Sequence, residues 1–129
     1  MESVRMLLVD DNPQFLEATI RFLSSFPDIH VIGNYHSARE AINQIDILNP
    51  DLILMDFALP DMNGVEATRL IKTKANSPRV IILTLYDNPE YRKASEAAYA
   101  DGFVSKSDLG IELLPMINDL FQKVQPIIE

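Results

Sequence analysis

Five polar side chains in this sequence lie at the ends of short apolar runs. They are three carboxylates, a hydroxyl and an ammonium: Asp10, Asp11, Asp56, Thr84 and Lys106. If they meet, the carboxylates repel one another, and at least one pKa rises unless a cation is present. Mg²⁺ prefers such oxygen ligands. A carboxylate beside Mg²⁺ can attack phosphorus and form an aspartyl phosphate, while a lysine and a hydroxyl interact with the phosphoryl oxygens.

Nitrogen and sulfur ligands for zinc are scarce in this sequence. It contains no cysteine, and its two histidines, His30 and His36, are predicted to lie far from the acidic residues. Because zinc sites are built mainly from thiolate and imidazole ligands, the sequence favours Mg²⁺ over zinc.

Each candidate residue also has an ordinary structural role when it is taken alone. Asp10 and Asp11 can cap a helix, and Asp56 can cap a loop. Thr84 can satisfy a backbone group, and Lys106 can be solvated. Their joint placement after four of the five predicted strands favours a common site.

Apolar runs alternate with helical patterns along the chain. Strands are predicted at residues 4–9, 29–33, 52–56, 80–84 and 103–105. Continuous apolar runs bounded by turn residues indicate strands that are buried on both faces of a parallel sheet. The pattern predicts an α/β fold, a flavodoxin-like doubly wound five-stranded parallel sheet of order 2-1-3-4-5 with five helices. In that order the first and third strands are neighbours, so their carboxylates meet at the switch point where ligands bind.

Two residues carry specific local expectations. Gly64 is expected to supply a positive φ at the turn into a helix over residues 65–74. Pro115 lacks an N–H and fits only the first turn of a helix. The last helix is therefore expected to begin near residues 110–114, or to bend there.

Composition limits the class of protein. A chain of 129 residues fits one domain, and 19 acidic against 11 basic side chains give a net charge of −8. Nucleic-acid binding by this domain alone is disfavoured, because phosphate contacts need a basic face. The sequence shows neither a run of 18 apolar residues nor the pattern of a signal peptide. Together with the lack of cysteine, this favours a cytoplasmic location.

The chain resembles the receiver domain of bacterial two-component response regulators. The resemblance rests on Asp10-Asp11-Asn12-Pro13, Asp56 with Pro60 and Asn63-Gly64, Leu83-Thr84, and Asp101-Gly102-Phe103-Val104-Ser105-Lys106. Two further stretches are similar to the subfamily whose members carry a C-terminal helix-turn-helix domain: Phe26-Pro27-Asp28-Ile29-His30-Val31-Ile32-Gly33 and Leu83-Thr84-Leu85-Tyr86-Asp87.

The resemblance implies a role for each site residue. Asp56 would accept a phosphoryl group from a histidine kinase, and Lys106 would pair with it. Asp10 and Asp11 would hold Mg²⁺ with help from Asp56 and the backbone carbonyl of Ala58. Thr84 and Phe103 would form the switch.

The chain departs from the family pattern at two positions beside these residues. Phe103 stands where the family often has tyrosine, which removes hydroxyl-dependent contacts there. Ser107 stands where the family often has a cis proline. A cis peptide before serine would cost about 3–4 kcal/mol, so the resemblance implies it less firmly here than before proline.

By the same resemblance, residues 1–124 form a receiver domain and residues 125–129 begin a C-terminal linker or tail. The domain would switch the surface around its fourth helix and control an output, namely transcription through a DNA-binding domain absent from this chain. The alternative is a stand-alone receiver that acts by protein–protein interaction. The expected partners are a sensor histidine kinase and a second copy on phosphorylation, with no membrane contact. No enzymatic role is expected beyond assistance to the domain's own phosphorylation and dephosphorylation.

Two other classes share parts of this pattern. A flavin- or nucleotide-binding module would need a phosphate-cradling loop after the first strand, where Asp10 and Asp11 would repel phosphate. A Mg²⁺-dependent phosphatase of the aspartyl-phosphate type would place nucleophile and acid two residues apart on that strand, whereas these aspartates are adjacent.

Overall fold

The computed structural model describes residues 3–121. In this part of the chain, strands and helices alternate as β1 Val4–Val9, α1 Pro13–Leu23, β2 Ile29–Tyr35, α2 Ala38–Leu48, β3 Leu52–Asp56, α3 Gly64–Ile71, β4 Arg79–Thr84, α4 Pro89–Ala97, β5 Gly102–Ser105 and α5 Leu109–Phe121. The strands pair in parallel in the order β2-β1-β3-β4-β5. The predicted fold class, strand order and alternation are confirmed.

The sheet separates two apolar layers. On one face, residues of β1, β3 and β4 pack against α2 and α3, and Ala98 and Phe103 complete this layer. On the other face, the sheet packs against α1 and α5 through Leu16, Leu23, Leu113 and Ile117. Every residue of β3 is buried, as expected for a central strand covered on both faces. None of the helices within residues 3–121 combines the length and hydrophobicity needed to cross a bilayer.

Asparagine side chains cap the start of three helices that follow strands of the sheet, namely α1, α3 and α4. Asn12 accepts from the backbone N–H groups of Gln14 and Phe15 at the start of α1. Asn63 does the same for α3, and Asn88 for α4. Because an N-cap satisfies otherwise unpaired N–H groups, these residues fix where each helix begins.

The last helix agrees with its prediction only in part. A short 3-10 helix over Lys106–Asp108 precedes α5, so regular helix begins at Leu109, one residue before the expected range. Pro115 lies inside α5 rather than in its first turn, which corrects the expectation. Proline leaves the carbonyl four residues earlier without a donor. That carbonyl belongs to Ile111, which is at an exposed position where water can replace the donor.

Three smaller predictions concern the end of α3, the peptide bond before Ser107 and residues 125–129. Helix α3 ends at Ile71, short of residue 74, and α4 ends at Ala97, two residues before Tyr99 takes a positive φ of 70°. No peptide bond is cis among the described residues, in agreement with Ser107 after Lys106. Residues 125–129, the predicted linker or tail, lie outside the described residues.

Gly64 is needed for a different reason from the one predicted. No glycine in the described part of the chain has a positive φ, so the expectation for Gly64 is wrong. Its N–H donates to the carbonyl of Phe57 at 2.8 Å. A Cβ at this position would overlap the backbone carbonyl oxygen of Asp56. The first turn of α3 therefore packs directly on the backbone of the strand end that carries Asp56.

Gly64→Ala should lower the free energy of unfolding by about 1–3 kcal/mol, because the added methyl meets rigid backbone. Gly110→Ala is the matched control, since a Cβ there meets nothing within 4 Å. In a helix this second change should stabilise by up to about 1 kcal/mol. Urea unfolding of both variants checks the pair, and shifts of the midpoint in the same direction would contradict this account of Gly64.

Candidate functional site

The register of the central strands places Asp10 and Asp56 side by side. Val9 pairs with Met55 across β1 and β3, so the next residue of each strand lies at the same edge. The side chains of Asp10 and Asp56 are only 2% and 6% exposed. Asp11 stands at an exposed position. One carboxylate oxygen of each of the three lies within 4.8 Å of the other two.

Lys106 supplies the positive charge next to these carboxylates. Thr84 pairs with Ser105 across β4 and β5, so Lys106 follows at the same edge of the sheet. Its Nζ lies 2.6 Å from Asp10 Oδ2 and 3.4 Å from Asp56 Oδ2. The lysine side chain is 10% exposed, so water screens these ion pairs weakly.

The crowding of charge changes the protonation of Asp56. Burial, and to a smaller extent the nearby charge of Asp10, raise the pKa of Asp56 to a net value of about 6. The ammonium of Lys106 and the backbone N–H of Ala58 act in the opposite direction but do not cancel these effects. The site therefore lacks enough positive charge to hold all of its carboxylates ionised without cost.

The donor set fits a hard divalent cation such as Mg²⁺. Asp10 Oδ1 accepts from the N–H of Asn12 at 2.9 Å. Asp10 Oδ2 is buried and has no aligned hydrogen bond within the described residues, although the Lys106 ammonium is close to it. Together with oxygens of Asp11 and Asp56, this oxygen offers the ligand type that Mg²⁺ prefers.

Thr84 and Ala58 border an open cavity beside Asp56. The cavity has a volume of about 460 Å³, and its lining residues include Asp11, Asp56, Ala58, Thr84 and Lys106. The Thr84 hydroxyl accepts from the N–H of Tyr86 at 3.1 Å, and the N–H of Ala58 lies 3.4 Å from Asp56 Oδ1. The structure thus brings together all the predicted site residues except Phe103.

Phe103 lies in the apolar layer on the α4 side of the sheet rather than in the acidic pocket. It is 7% exposed, and the guanidinium carbon of Arg92 lies 4.7 Å from the centre of its ring. Arg92 in turn donates to both carboxylate oxygens of Asp87 at 2.9 and 3.1 Å. The ring is therefore buried in this structure.

Sequence analysis missed three contacts around the site. The Phe15 ring centre lies 4.4 Å from Lys106 Nζ. Phe57, next to Asp56, stacks on Tyr91 of α4 with ring centres 4.2 Å apart. The position of Phe15 four residues after Asp11 was the available signal, because the first turn of α1 must lie near the acid pair.

The third contact that the sequence did not predict joins the loop after Asp56 to the start of helix α2. Asp61 accepts from the backbone N–H groups of Ala38 and Arg39 at 3.0 and 2.9 Å. Burial alone would raise the pKa of Asp61, but these N–H groups hold it below its usual value. Nothing local in the sequence predicts this contact, because it joins residues 22 and 23 positions apart.

The raised pKa of Asp56 predicts a pH-dependent effect of Asp56→Asn without divalent cations. An Asp whose pKa rises from 3.8 unfolded to about 6 folded destabilises the fold increasingly between those pH values. At pH 7 the neutral amide should therefore increase the free energy of unfolding, by up to about 3 kcal/mol. The gain should shrink as the pH falls from 6 towards 3.8.

Denaturant unfolding at pH 7 and pH 4 measures this difference. Asp28→Asn is the control, because it removes one carboxylate from an exposed position. An effect of Asp56→Asn that is equal at the two pH values would contradict the assignment.

Comparison with known proteins identifies the family to which this chain belongs. The model of the response regulator receiver domain matches residues 6–119. Response regulator protein VraR of Staphylococcus saprophyticus is 33% identical over 120 residues, which are 92% of this chain and 56% of the relative. The DNA-binding transcriptional activator DevR/DosR of Mycobacterium tuberculosis is 32% identical over 117 residues, 91% of this chain and 54% of that protein. The chain thus spans about half the length of these curated relatives.

Solved structures agree with this assignment. A LuxR-family two-component response regulator from Aurantimonas sp. SI85-9A1 superposes with a TM-score of 0.88 at 29% identity, covering 98% of this chain and 90% of that one. The response regulator domain of Thermotoga maritima CheB gives 0.82 at 28% identity, covering 97% and 100%. The resemblance to receiver domains, and to regulators that bind DNA, is confirmed. The chain belongs to the receiver domain family of two-component response regulators.

Proposed function

We propose that this receiver domain accepts a phosphoryl group on Asp56 from the phosphohistidine of a sensor histidine kinase. The observation that carries the proposal is the setting of the Asp56 carboxylate. It is buried, crowded by Asp10, close to the Lys106 ammonium, and open to a cavity that can admit a donor. Membership of the family supports the same role.

The transfer is a displacement at phosphorus. A carboxylate oxygen of Asp56 forms the new P–O bond while the bond from phosphorus to the donor imidazole nitrogen breaks, and the electron pair of that bond stays on the imidazole. Lys106 can then pair with the phosphoryl oxygens from its place 3.4 Å from Asp56 Oδ2. Such charge stabilisation in a poorly hydrated site lowers the barrier more than it would in water.

Mg²⁺ would be held by Asp10, Asp11, Asp56 and the backbone carbonyl of Ala58. When bound, the ion would neutralise the carboxylates and the transferring phosphoryl group. The carboxylate oxygens of Asp10, Asp11 and Asp56 that lie within 4.8 Å of one another support this assignment. Asn12 holds one oxygen of Asp10, which fixes the orientation of that carboxylate.

Membership of the family supports a proposal for the biological setting. We infer a cytoplasmic signalling domain, not an enzyme with its own substrate, that controls transcription through a DNA-binding output domain. The DNA-binding activator DevR/DosR among its relatives supports that output. The alternative is a receiver that acts alone by protein–protein interaction. Phosphorylation would also favour a homodimer.

We propose that Thr84 and Phe103 form the switch, linked by the β4–α4 loop. The Thr84 hydroxyl accepts from the N–H of Tyr86 and still has a hydrogen to donate to a phosphoryl oxygen. If the hydroxyl turns towards phosphate, the loop after Thr84 moves with it. Asp87 in that loop holds Arg92, whose guanidinium lies over the Phe103 ring. The surface that changes would be α4 and the adjoining strands.

Acetyl phosphate and Mg²⁺ should add one phosphoryl group to the protein, and intact-mass spectrometry measures it. Asp56→Asn should abolish the addition and keep the fold, because the amide oxygen is a poor nucleophile. Asp11→Ala should slow it, because one metal ligand is lost, and removing Mg²⁺ should prevent it. Asp28→Asn is the matched control and should label like the parent. Equal labelling of Asp56→Asn on the same peptide would refute the proposal.

If Thr84 and Phe103 form the switch, addition of beryllium fluoride and Mg²⁺ should change amide chemical shifts beyond the acidic pocket. In the parent, residues 86–105 should shift, because Thr84 transmits the change to the loop and to Phe103. Thr84→Ala should respond much less there, whereas Thr73→Ala, which alters an exposed hydroxyl, should respond like the parent. Changes confined to the acidic pocket of the parent would show that the domain binds phosphate without transmitting it.

A further inference from the structure

The aromatic ring of Phe15 forms one wall of the Lys106 site. Lys106 Nζ lies 4.4 Å from the centre of that ring. The same ammonium contacts Asp10 Oδ2 at 2.6 Å and Asp56 Oδ2 at 3.4 Å. Two carboxylates and one ring face therefore surround a lysine side chain that is 10% exposed.

The start of α1 fixes the position of this ring. The N–H of Phe15 donates to the capping side chain of Asn12 at 3.1 Å. The N–H of Asn12 donates to Asp10 Oδ1 at 2.9 Å. The ring thus belongs to a short hydrogen-bonded segment that begins at the acid pair.

The three contacts of the ammonium differ in what happens to them during phosphoryl transfer. Under the proposed function, Asp10 becomes a metal ligand and ceases to be available to Lys106 as a full negative charge. The Phe15 ring has no lone pair that a hard cation would bind, and its negative face attracts an ammonium at this distance. The ring contact therefore persists when the ion pair with Asp10 is weakened.

We propose that Phe15 is a positioning residue for phosphoryl transfer, whose ring face holds the Lys106 ammonium beside Asp56. This inference rests on the proposed function of Asp56. Without the ring, the four-carbon side chain of Lys106 has more freedom, and its ammonium spends less time where phosphoryl oxygens develop charge. The ring thus acts through Lys106, and no contact with the phosphoryl group is required of it.

Apolar packing is a second interaction of Phe15, and it does not require an aromatic ring. Phe15 is only partly buried, although it also packs against the apolar layer formed with α1 and α5. Leucine would retain most of that packing and lose the π face. The pair Phe15→Leu and Phe15→Tyr therefore separates packing from the attraction of the ring for the cation.

Two measurements on the intact chain test the proposal. The first is the proton chemical shift of the Lys106 ε-methylene, which a nearby ring face moves upfield. Phe15→Leu should remove that upfield shift and Phe15→Tyr should keep it. The second is the rate constant for labelling by acetyl phosphate at saturating Mg²⁺. It should fall roughly threefold to thirtyfold in Phe15→Leu and stay within twofold of the parent in Phe15→Tyr.

Phe22→Leu is the matched control, because Phe22 lies on the same helix and packs edge-to-face on Phe26, away from the acidic pocket. Its labelling rate should equal that of the parent. If Phe15→Leu does not fold, fluorinated phenylalanines introduced at residue 15 keep the shape and weaken the negative ring face stepwise. The labelling rate should then fall with each added fluorine.

Any other outcome overturns the proposal, and the pattern of effects shows which part of it is wrong. A parent that labels well with an unaffected Phe15→Leu shows that the ring is dispensable, while the function of Asp56 stands. Equal losses in Phe15→Leu and Phe22→Leu, or in Phe15→Leu and Phe15→Tyr, reveal a packing effect. A parent that fails to label overturns the proposed function and the role of Phe15 with it.

Discussion

Repulsion among carboxylates gathered around a single ammonium is the constraint on which this molecule depends. Burial and the charge of Asp10 raise the pKa of Asp56, and Lys106 offsets only part of that effect. A site of this kind is not built for stability, because each buried charge has too few partners. The site carries more negative than positive charge. It is therefore suited to bind a cation together with a group that carries oxygens. The energetic conflict and the proposed activity are thus two aspects of the same arrangement.

The register of the sheet keeps these mutually repelling carboxylates close together. The carboxylates lie at the ends of β1 and β3, which pair side by side, and Thr84 and Ser105 pair at the ends of β4 and β5. A slip of β1 or β3 along its neighbour would move the carboxylate of that strand along the edge and would misplace the side chains packed against the helices. The two apolar layers therefore stabilise a set of polar groups that would otherwise separate. Stability is located in the core, and the polar edge is held in place by it.

Most of the fold and the membership of the site followed from local patterns in the sequence. Apolar runs gave the strands, and a parallel sheet forces their carboxyl ends to one edge, so Asp10, Asp56, Thr84 and Lys106 could be grouped in advance. Contacts that depend on side-chain conformation between distant residues could not be predicted. Examples are the Phe15 ring on Lys106 and the Asp61 carboxylate at the start of α2. The helix through Pro115 was also missed, because propensity does not reveal whether a carbonyl without a donor lies at an exposed position.

The motif around Asp56 contains residues of two kinds. Gly64 is required by the path of the main chain, whereas other residues are required for the proposed chemistry. Any side chain at the glycine would collide with a carbonyl oxygen. That collision does not depend on which side chain residue 56 carries. A glycine at this position is therefore a marker of loop architecture, and a related chain could keep it after losing every acidic group. The polar side chains of the site, and not this glycine, indicate which chemistry the domain can carry out.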